Sequence, residues 1–205
     1  MNKYMTEQEE FWAGEFGKEY IERNNSQELL AIKTGFYAKV LSFTDEINSC
    51  IEFGANIGFN LKAIKTLLPH CELSAIEINS EAVKHLNKIE NLKVYHQSIL
   101  DFKVDYKRDL TITSGVLIHI NPEMLPNVYD ILYNSSRRYI SIAEYYNPTP
   151  VEVNYRGHSG KLFKRDFVGE ILDRYPDLKL IQYGFVYHRD NIFPQDDFTW
   201  FLLSK

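Results

Sequence analysis

The sequence predicts an α/β protein: a seven-stranded, mostly parallel sheet with helices on both faces, an antiparallel hairpin at its C-terminal end and a helical segment ahead of the first strand. Three observations predict it. Cys50-Ile-Glu-Phe-Gly-Ala-Asn-Ile-Gly-Phe-Asn60 reads as a short buried strand that ends in a carboxylate, runs through a turn with glycines at 54 and 58, and opens a helix. Strand-length apolar runs then alternate with helical periodicity as far as Tyr175. Finally, Leu178 to Tyr187 and Phe198 to Leu203 alternate around the turn-rich stretch 189–197, the pattern of a hairpin.

The 205 residues are 44% hydrophobic and 25% charged, an ordinary globular composition that suits one domain, 1–205, with a helical lid over 1–45 and the sheet core over 46–205. A net charge of −5 argues against a general nucleic-acid binder, so small molecules are the expected partners. No apolar run is long enough to cross a bilayer, and Met1 to Glu10 is polar with three glutamates, so a cytoplasmic location without a membrane partner is expected. Cys50 and Cys71 lack CxxC spacing, which suggests neither a disulfide framework nor a metal site. The 14 tyrosines and 13 phenylalanines serve packing, though tyrosines also line pockets for sugars and cations.

Residues 5–43 read as helical with a break at Gly17. Before it, Phe11, Trp12 and Phe16 recur at helical spacing; after it, Tyr20 to Asn25 leads to Ser26, an N-cap for a second amphipathic helix carrying Leu29, Leu30, Ile32, Phe36, Tyr37, Val40 and Leu41. Trp12, Phe16, Tyr20, Arg23 and Asn24 mix rings with a cation, which suits a pocket wall better than a core stripe.

The turn at 54–58 lets a ligand meet bare backbone, because glycine tolerates positive φ and close approach and the next helix aims free N–H groups over the turn. Its helix ends at Pro69. Leu73 to Ile78 forms the second strand, and Ser80 caps a helix through Asn87. Glu77 follows Gly58 by 19 residues, the interval at which nucleotide-binding sheets place a carboxylate for the ribose hydroxyls. Leu92 to His96 is the third strand, followed by Ser98, Ile99 and Asp101. Asp109 to Ile120 forms the fourth strand and the loop beyond it, and Asn121-Pro122 starts a helix with proline at its tolerated first position.

Tyr139 to Ala143 is the fifth strand, ending in Glu144-Tyr145-Tyr146. The loop 147–161 before a helix over Phe163 to Tyr175 exceeds the usual connection length, which marks it as functional. Tyr155, Arg156, His158, Lys161, Lys164 and Arg165 gather cations on an otherwise acidic chain, a pattern that suits an anionic substrate.

The dinucleotide fingerprint would need glycines at 54, 56 and 59, and only the first is present. Instead, Glu52-Phe-Gly-Ala-Asn-Ile-Gly58 resembles the acidic-hydrophobic-Gly-x-Gly-x-Gly turn of class I S-adenosylmethionine-dependent methyltransferases, with Asn56 the one departure. Asn is the non-glycine residue most at ease with left-handed angles. With Glu77 and the Asp109 to His119 segment, the resemblance covers nearly the whole chain and implies a Rossmann-like sheet. It also implies S-adenosyl-L-methionine as cofactor, held by Glu52, Gly54, Asn56, Gly58, Glu77 and Ile78. Ser98, in place of the usual adenine-binding acid, and Ile99 would flank the adenine; Ser114, Gly115, Val116 and Leu117 would lie beside the methyl-bearing sulfur, with His119 at the reaction chamber. More narrowly, Phe11 to Asn24 and Tyr145 to Phe167 are similar to a small bacterial group associated with pseudaminic acid biosynthesis, which implies a nonulosonic-acid sugar, its activated form or a substituent as acceptor.

In-line transfer to a hydroxyl needs a base, and His119, Glu144 and His158 are the candidates, His119 first because its ordinary pKa lies near neutrality. Arg23, with Asn24, is assigned to the donor's carboxylate. Trp12, Phe16, Tyr20, Tyr145, Tyr155, Arg156, Lys161 and Lys164 are assigned to the acceptor. Two alternatives compete: a non-catalytic binder of the donor, suggested by Asn56 and Ser98, and an NAD-dependent oxidoreductase, which Phe59, the terminal hairpin and the lack of a second substrate domain oppose.

Overall fold

The computed structural model describes residues 4–23 and 26–205. Helices α1 (Glu7–Ala13), α2 (Glu15–Arg23) and α3 (Gln27–Leu41) precede the sheet. A reciprocal capping box between Thr6 and Glu9 starts α1. The expected break falls at Gly14, which caps α1, and not at Gly17, which lies buried inside α2. A Cβ at Gly17 would stand 2.0 Å from the Trp12 carbonyl oxygen and 2.6 Å from Asn79 Nδ2. This glycine therefore answers to close packing of α2 against the end of α1 and the cap of α5.

Strand β1 (Ser49–Phe53) leads through the turn to α4 (Phe59–Leu67); β2 (Glu72–Glu77), α5 (Ser80–Leu86), β3 (Leu92–His96), β4 (Arg108–Ser114), α6 (Leu125–Ser135) and β5 (Ser136–Glu144) follow. The helix expected from a Ser80 cap is capped by Asn79 instead, whose Oδ1 accepts the N–H groups of Glu81 and Ala82. The segment expected as an open loop holds a small hairpin, β6 (Val151–Glu152) and β7 (Phe163–Lys164), that turns at Tyr155–His158. Helix α7 (Phe167–Arg174) and the antiparallel strands β8 (Lys179–Val186) and β9 (Phe198–Ser204) complete the chain.

The seven strands run in the order β3-β2-β1-β4-β5-β9-β8, the first five parallel. Every residue of β1 is buried, as expected of a central parallel strand covered on both faces. Alternation sends Ile51 and Phe53 into the cluster with Val128, Ile140 and Ile142, and Cys50 into the one with Tyr37, Leu61 and Ile64. Each such fully buried aliphatic side chain contributes about 1.5–3 kcal/mol. The strand order reverses between β1 and β4, and a crevice opens there beyond the carboxyl ends of the strands. Among the described residues, no helix is long and apolar enough to cross a membrane.

Candidate active site

The crevice is a cavity of about 460 Å³. Its floor is the turn after β1, where Gly54, Asn56 and Gly58 take φ of 72°, 47° and 82°. Asn56 thus adopts the left-handed conformation that its side chain tolerates. Gly54 has a second reason to be glycine, since a Cβ there would lie 2.6 Å from Val116 Cγ2 on the facing loop. Two buried carboxylates flank the turn. Glu77 Oε2 accepts the Asn56 N–H at 2.7 Å and its Oε1 accepts the Asn79 N–H at 2.7 Å. Burial raises its pKa and those N–H bonds pull it back. Glu52 Oε1 accepts from Asn60 Nδ2 at 2.6 Å, while Glu52 Oε2 and Asn60 Oδ1 are buried without partners. Burial pushes Glu52 up to about 8, against the Asn60 bond and the nearby Lys33 charge.

The facing wall is the loop after β4. Glu144, at the end of β5, accepts the N–H groups of Val116 and Leu117, each at 2.9 Å, and of Ile118 at 3.5 Å. This carboxylate is what fixes the loop, and burial raises it to about 7. His119 follows in a short 3₁₀ turn, with its Nδ1 at 2.6 Å from the Lys161 carbonyl. A carbonyl only accepts, so Nδ1 carries the proton and Nε2 holds the ring's lone pair. Burial lowers the His119 pKa to about 4, in place of the near-neutral value expected from its ordinary chemistry.

The N-terminal helices and the β8–β9 loop supply the roof. Trp12 and Tyr20 reach the cavity, and Asn79 Nδ2 ties down the Trp12 carbonyl at 2.9 Å. Gln8 Nε2 donates to the Gly160 carbonyl at 2.8 Å, and Lys161 pairs with Glu7 at 3.1 Å, so α1 and the β6–β7 hairpin hold each other. On the other side, Lys33 Nζ donates to Gln195 Oε1 at 2.9 Å, joining α3 to the β8–β9 loop.

Of the residues expected to hold a donor, Glu52, Gly54, Asn56, Gly58, Glu77 and Ile78 line this cavity, as do Ser98, Ile99, Ser114 and Gly115. Ser98 Oγ already accepts the Leu100 N–H at 3.1 Å, which leaves its proton as a donor. Leu117 is buried behind the loop. Arg23 does not line the cavity; it is exposed, pairs with Glu19 at 3.3 Å and lies over the Phe16 ring. Asn24 lies outside the described residues. Of the expected bases, His119 lines the cavity, but Glu144 is committed to backbone and His158 is exposed against Phe11.

Of the expected acceptor contacts, Trp12 and Tyr20 reach the cavity. Phe16 and Tyr155 pack behind them, at ring distances of 5.4 Å and 6.4 Å from Trp12. Lys164 sits over the Tyr145 ring, and Lys161 and the exposed Arg156 lie on the hairpin outside. Sequence reasoning missed Gln8, Lys33, Asn60, Asn79, Gln195 and Asp196, all of which line the cavity. Lys33 breaks an apolar helix face, the one signal that could have marked it.

No known sequence family and no curated protein sequence matches the chain. Solved structures do match. The 1,6-didemethyltoxoflavin-N1-methyltransferase of Burkholderia thailandensis, bound to 1,6-didemethyltoxoflavin and S-adenosylhomocysteine, superposes with a TM-score of 0.69 at 11% identity over 97% of this chain and 86% of its own. The chain has the class I S-adenosylmethionine-dependent methyltransferase fold. Within that methyltransferase fold, the magnesium protoporphyrin IX methyltransferase of Synechocystis PCC 6803 with bound S-adenosylhomocysteine gives 0.67 at 12% identity, covering 96% and 97%. A SAM-dependent methyltransferase from Archaeoglobus fulgidus gives 0.67 at 14%, covering 93% and 100%.

Proposed function

We propose that the chain is an S-adenosylmethionine-dependent methyltransferase of a small sugar-type acceptor. One observation carries this: the bond from Asn56 N–H to Glu77 draws the carboxylate suited to a ribose diol against the glycine turn, inside one cavity. The residues present fit the donor. Gly54 leaves the turn backbone bare. At the far end, Glu52 Oε2 and Asn60 Oδ1 are buried without partners, acceptors once a bound ammonium holds Glu52 ionised, and Lys33 is the one lysine there among the described residues. Two acceptors and a cation complement the ammonium and carboxylate of an amino-acid tail, and this supports Lys33 in the role expected of Arg23. Bound there, S-adenosylmethionine supplies a methyl group on a positively charged sulfur.

The chain's own residues do the rest. Glu77 orients the ribose, and Glu144 holds the 115–118 backbone rigid beneath the reacting end. Trp12, Tyr20 and His119 shape the acceptor's side, and helices α1 to α3 close over it as the lid of a single, cytoplasmic domain. The finer reading, a nonulosonic acid, its activated form or a substituent of it, rests on the resemblance of residues 11–24 and 145–167. The contact between those segments supports it: Phe11 and His158 meet at 5.0 Å, Lys161 stands over the Phe11 ring and Lys164 over the Tyr145 ring.

Calorimetric titration with S-adenosylmethionine, S-adenosylhomocysteine and NAD tests the donor. Binding of the first two without NAD is expected; NAD binding alone would point to the oxidoreductase. Donor binding with no methylation of any sugar acid would leave a binding protein.

A further inference from the structure

We propose that the group methylated is an amine nitrogen and not a hydroxyl oxygen. The inference rests on the methyltransferase reading and names the acceptor class of that same site.

Transfer to an alcohol needs a base matched to a poorly acidic proton, most often a histidine or a carboxylate within hydrogen-bond reach. Every acid near the reacting end is engaged or remote. Glu144 spends its oxygens on the backbone of 116–118 and does not line the cavity. Glu9 lines it, but its Oε2 accepts the Thr6 N–H at 2.8 Å and hydroxyl at 3.0 Å in the capping box. Glu52 and Glu77 belong to the donor's side, and Asp196 lines the cavity from the β8–β9 loop but is engaged by the Tyr145 hydroxyl. His119 ends on the Lys161 carbonyl, 2.6 Å away, with no carboxylate behind it. Its pKa of about 4 agrees with a ring that binds a donor through Nε2 without removing its proton.

An amine needs no such base, because the neutral nitrogen is already nucleophilic. Its lone pair forms the bond to the methyl carbon as the carbon–sulfur bond breaks and its electron pair stays on sulfur. The nitrogen is left positively charged with the hydrogens it already carried, and one of these then passes to water as a proton. The wall suits it. Gln8 lines the cavity, and its Oε1 is buried without a partner, so it calls for an N–H. Trp12 and Tyr20 offer ring faces to a basic nitrogen, and burial, with the Asp196 charge adding to it, raises the pKa of the Tyr20 and Tyr145 hydroxyls. Trp12 Nε1, also buried and unpartnered, is a donor that a neighbouring oxygen of the acceptor would satisfy. Among the described residues Lys33 is the one lysine of the lining, and it belongs to the tail end.

The experiment uses the full chain with S-adenosylmethionine carrying a ¹³C methyl, incubated with matched pairs: glucosamine and glucose, galactosamine and galactose, mannosamine and mannose. The ¹³C shift separates N-methyl from O-methyl products. In parallel, each sugar is titrated into the S-adenosylhomocysteine complex of the wild type and of Gln8→Met. An N-methyl signal is expected, with amines binding at least about tenfold tighter than their hydroxyl partners and losing that preference in Gln8→Met. An O-methyl product overturns the inference, as do amines that neither bind preferentially nor accept the methyl. A protein that fails to bind S-adenosylhomocysteine at all instead removes the donor reading, so the two failures are distinct.

Discussion

Glu77 Oε2 accepts the backbone N–H of Asn56 at 2.7 Å, which pins the middle of the glycine turn to the end of the neighbouring strand. The same carboxylate holds Asn79 N–H and thereby the start of α5. One side chain thus shapes the floor of the cavity before any ligand arrives. Replacing it by Ala strands two N–H groups, at about 1–3 kcal/mol each, so Glu77→Ala should melt several degrees lower. Its S-adenosylhomocysteine affinity should fall at least about tenfold, read by calorimetry below the melting range.

Lys33→Met tests the tail end of the cavity. S-adenosylhomocysteine should bind about tenfold more weakly, whereas 5′-methylthioadenosine, which lacks the amino-acid tail, should bind as to the wild type. Equal losses for both ligands would make Lys33 merely structural. Arg23→Ala, an exposed change, should leave both affinities unaltered.

Gly54→Ala should destabilise the protein by about 1–3 kcal/mol, since it adds a Cβ at φ 72° and 2.6 Å from Val116 Cγ2. Pairing it with Val116→Ala should recover part of that loss in denaturant melts. No recovery would mean that the backbone angle alone is responsible.

Stability of the ligand-free protein should fall as pH rises from 6.5 to 8. Glu52, raised to about 8 by burial, and Glu144, raised to about 7, stay protonated in the fold while their unfolded counterparts are ionised. The folded state then binds more protons, and its stability declines with pH up to those values. His119 works oppositely but lower: with its pKa lowered to about 4, it costs stability as pH falls below about 6.5, where the unfolded imidazole takes a proton. Urea titrations across this range should show a shallower slope in Glu52→Gln, and an unchanged slope would place the titration elsewhere.

The succession of strands and helices and the turn beneath the cavity could be read from the chain because both are local. Glu52 to Gly58 is one contiguous turn, and the interval to Glu77 is set by a single helix and strand. Asn56 was judged correctly from backbone sterics alone. What escaped was built by contacts between distant segments. Lys33 meets Gln195 across 162 residues, and Gln8 meets Gly160 across 152. No periodicity encodes such pairs. Arg23 and Glu144 were misplaced for a related reason: residue type suggested chemistry, but Arg23 ended on an outward helix face and Glu144 was taken by backbone donors. The break at Gly14 instead of Gly17 followed from packing against Asn79, which propensity does not report.

The bond from Gln8 to Gly160 sits beside the pair of Lys161 with Glu7, and Lys161 also presents the carbonyl that fixes His119. The contacts that hold α1 against the small hairpin and the bond that orients the imidazole therefore converge on one residue, Lys161.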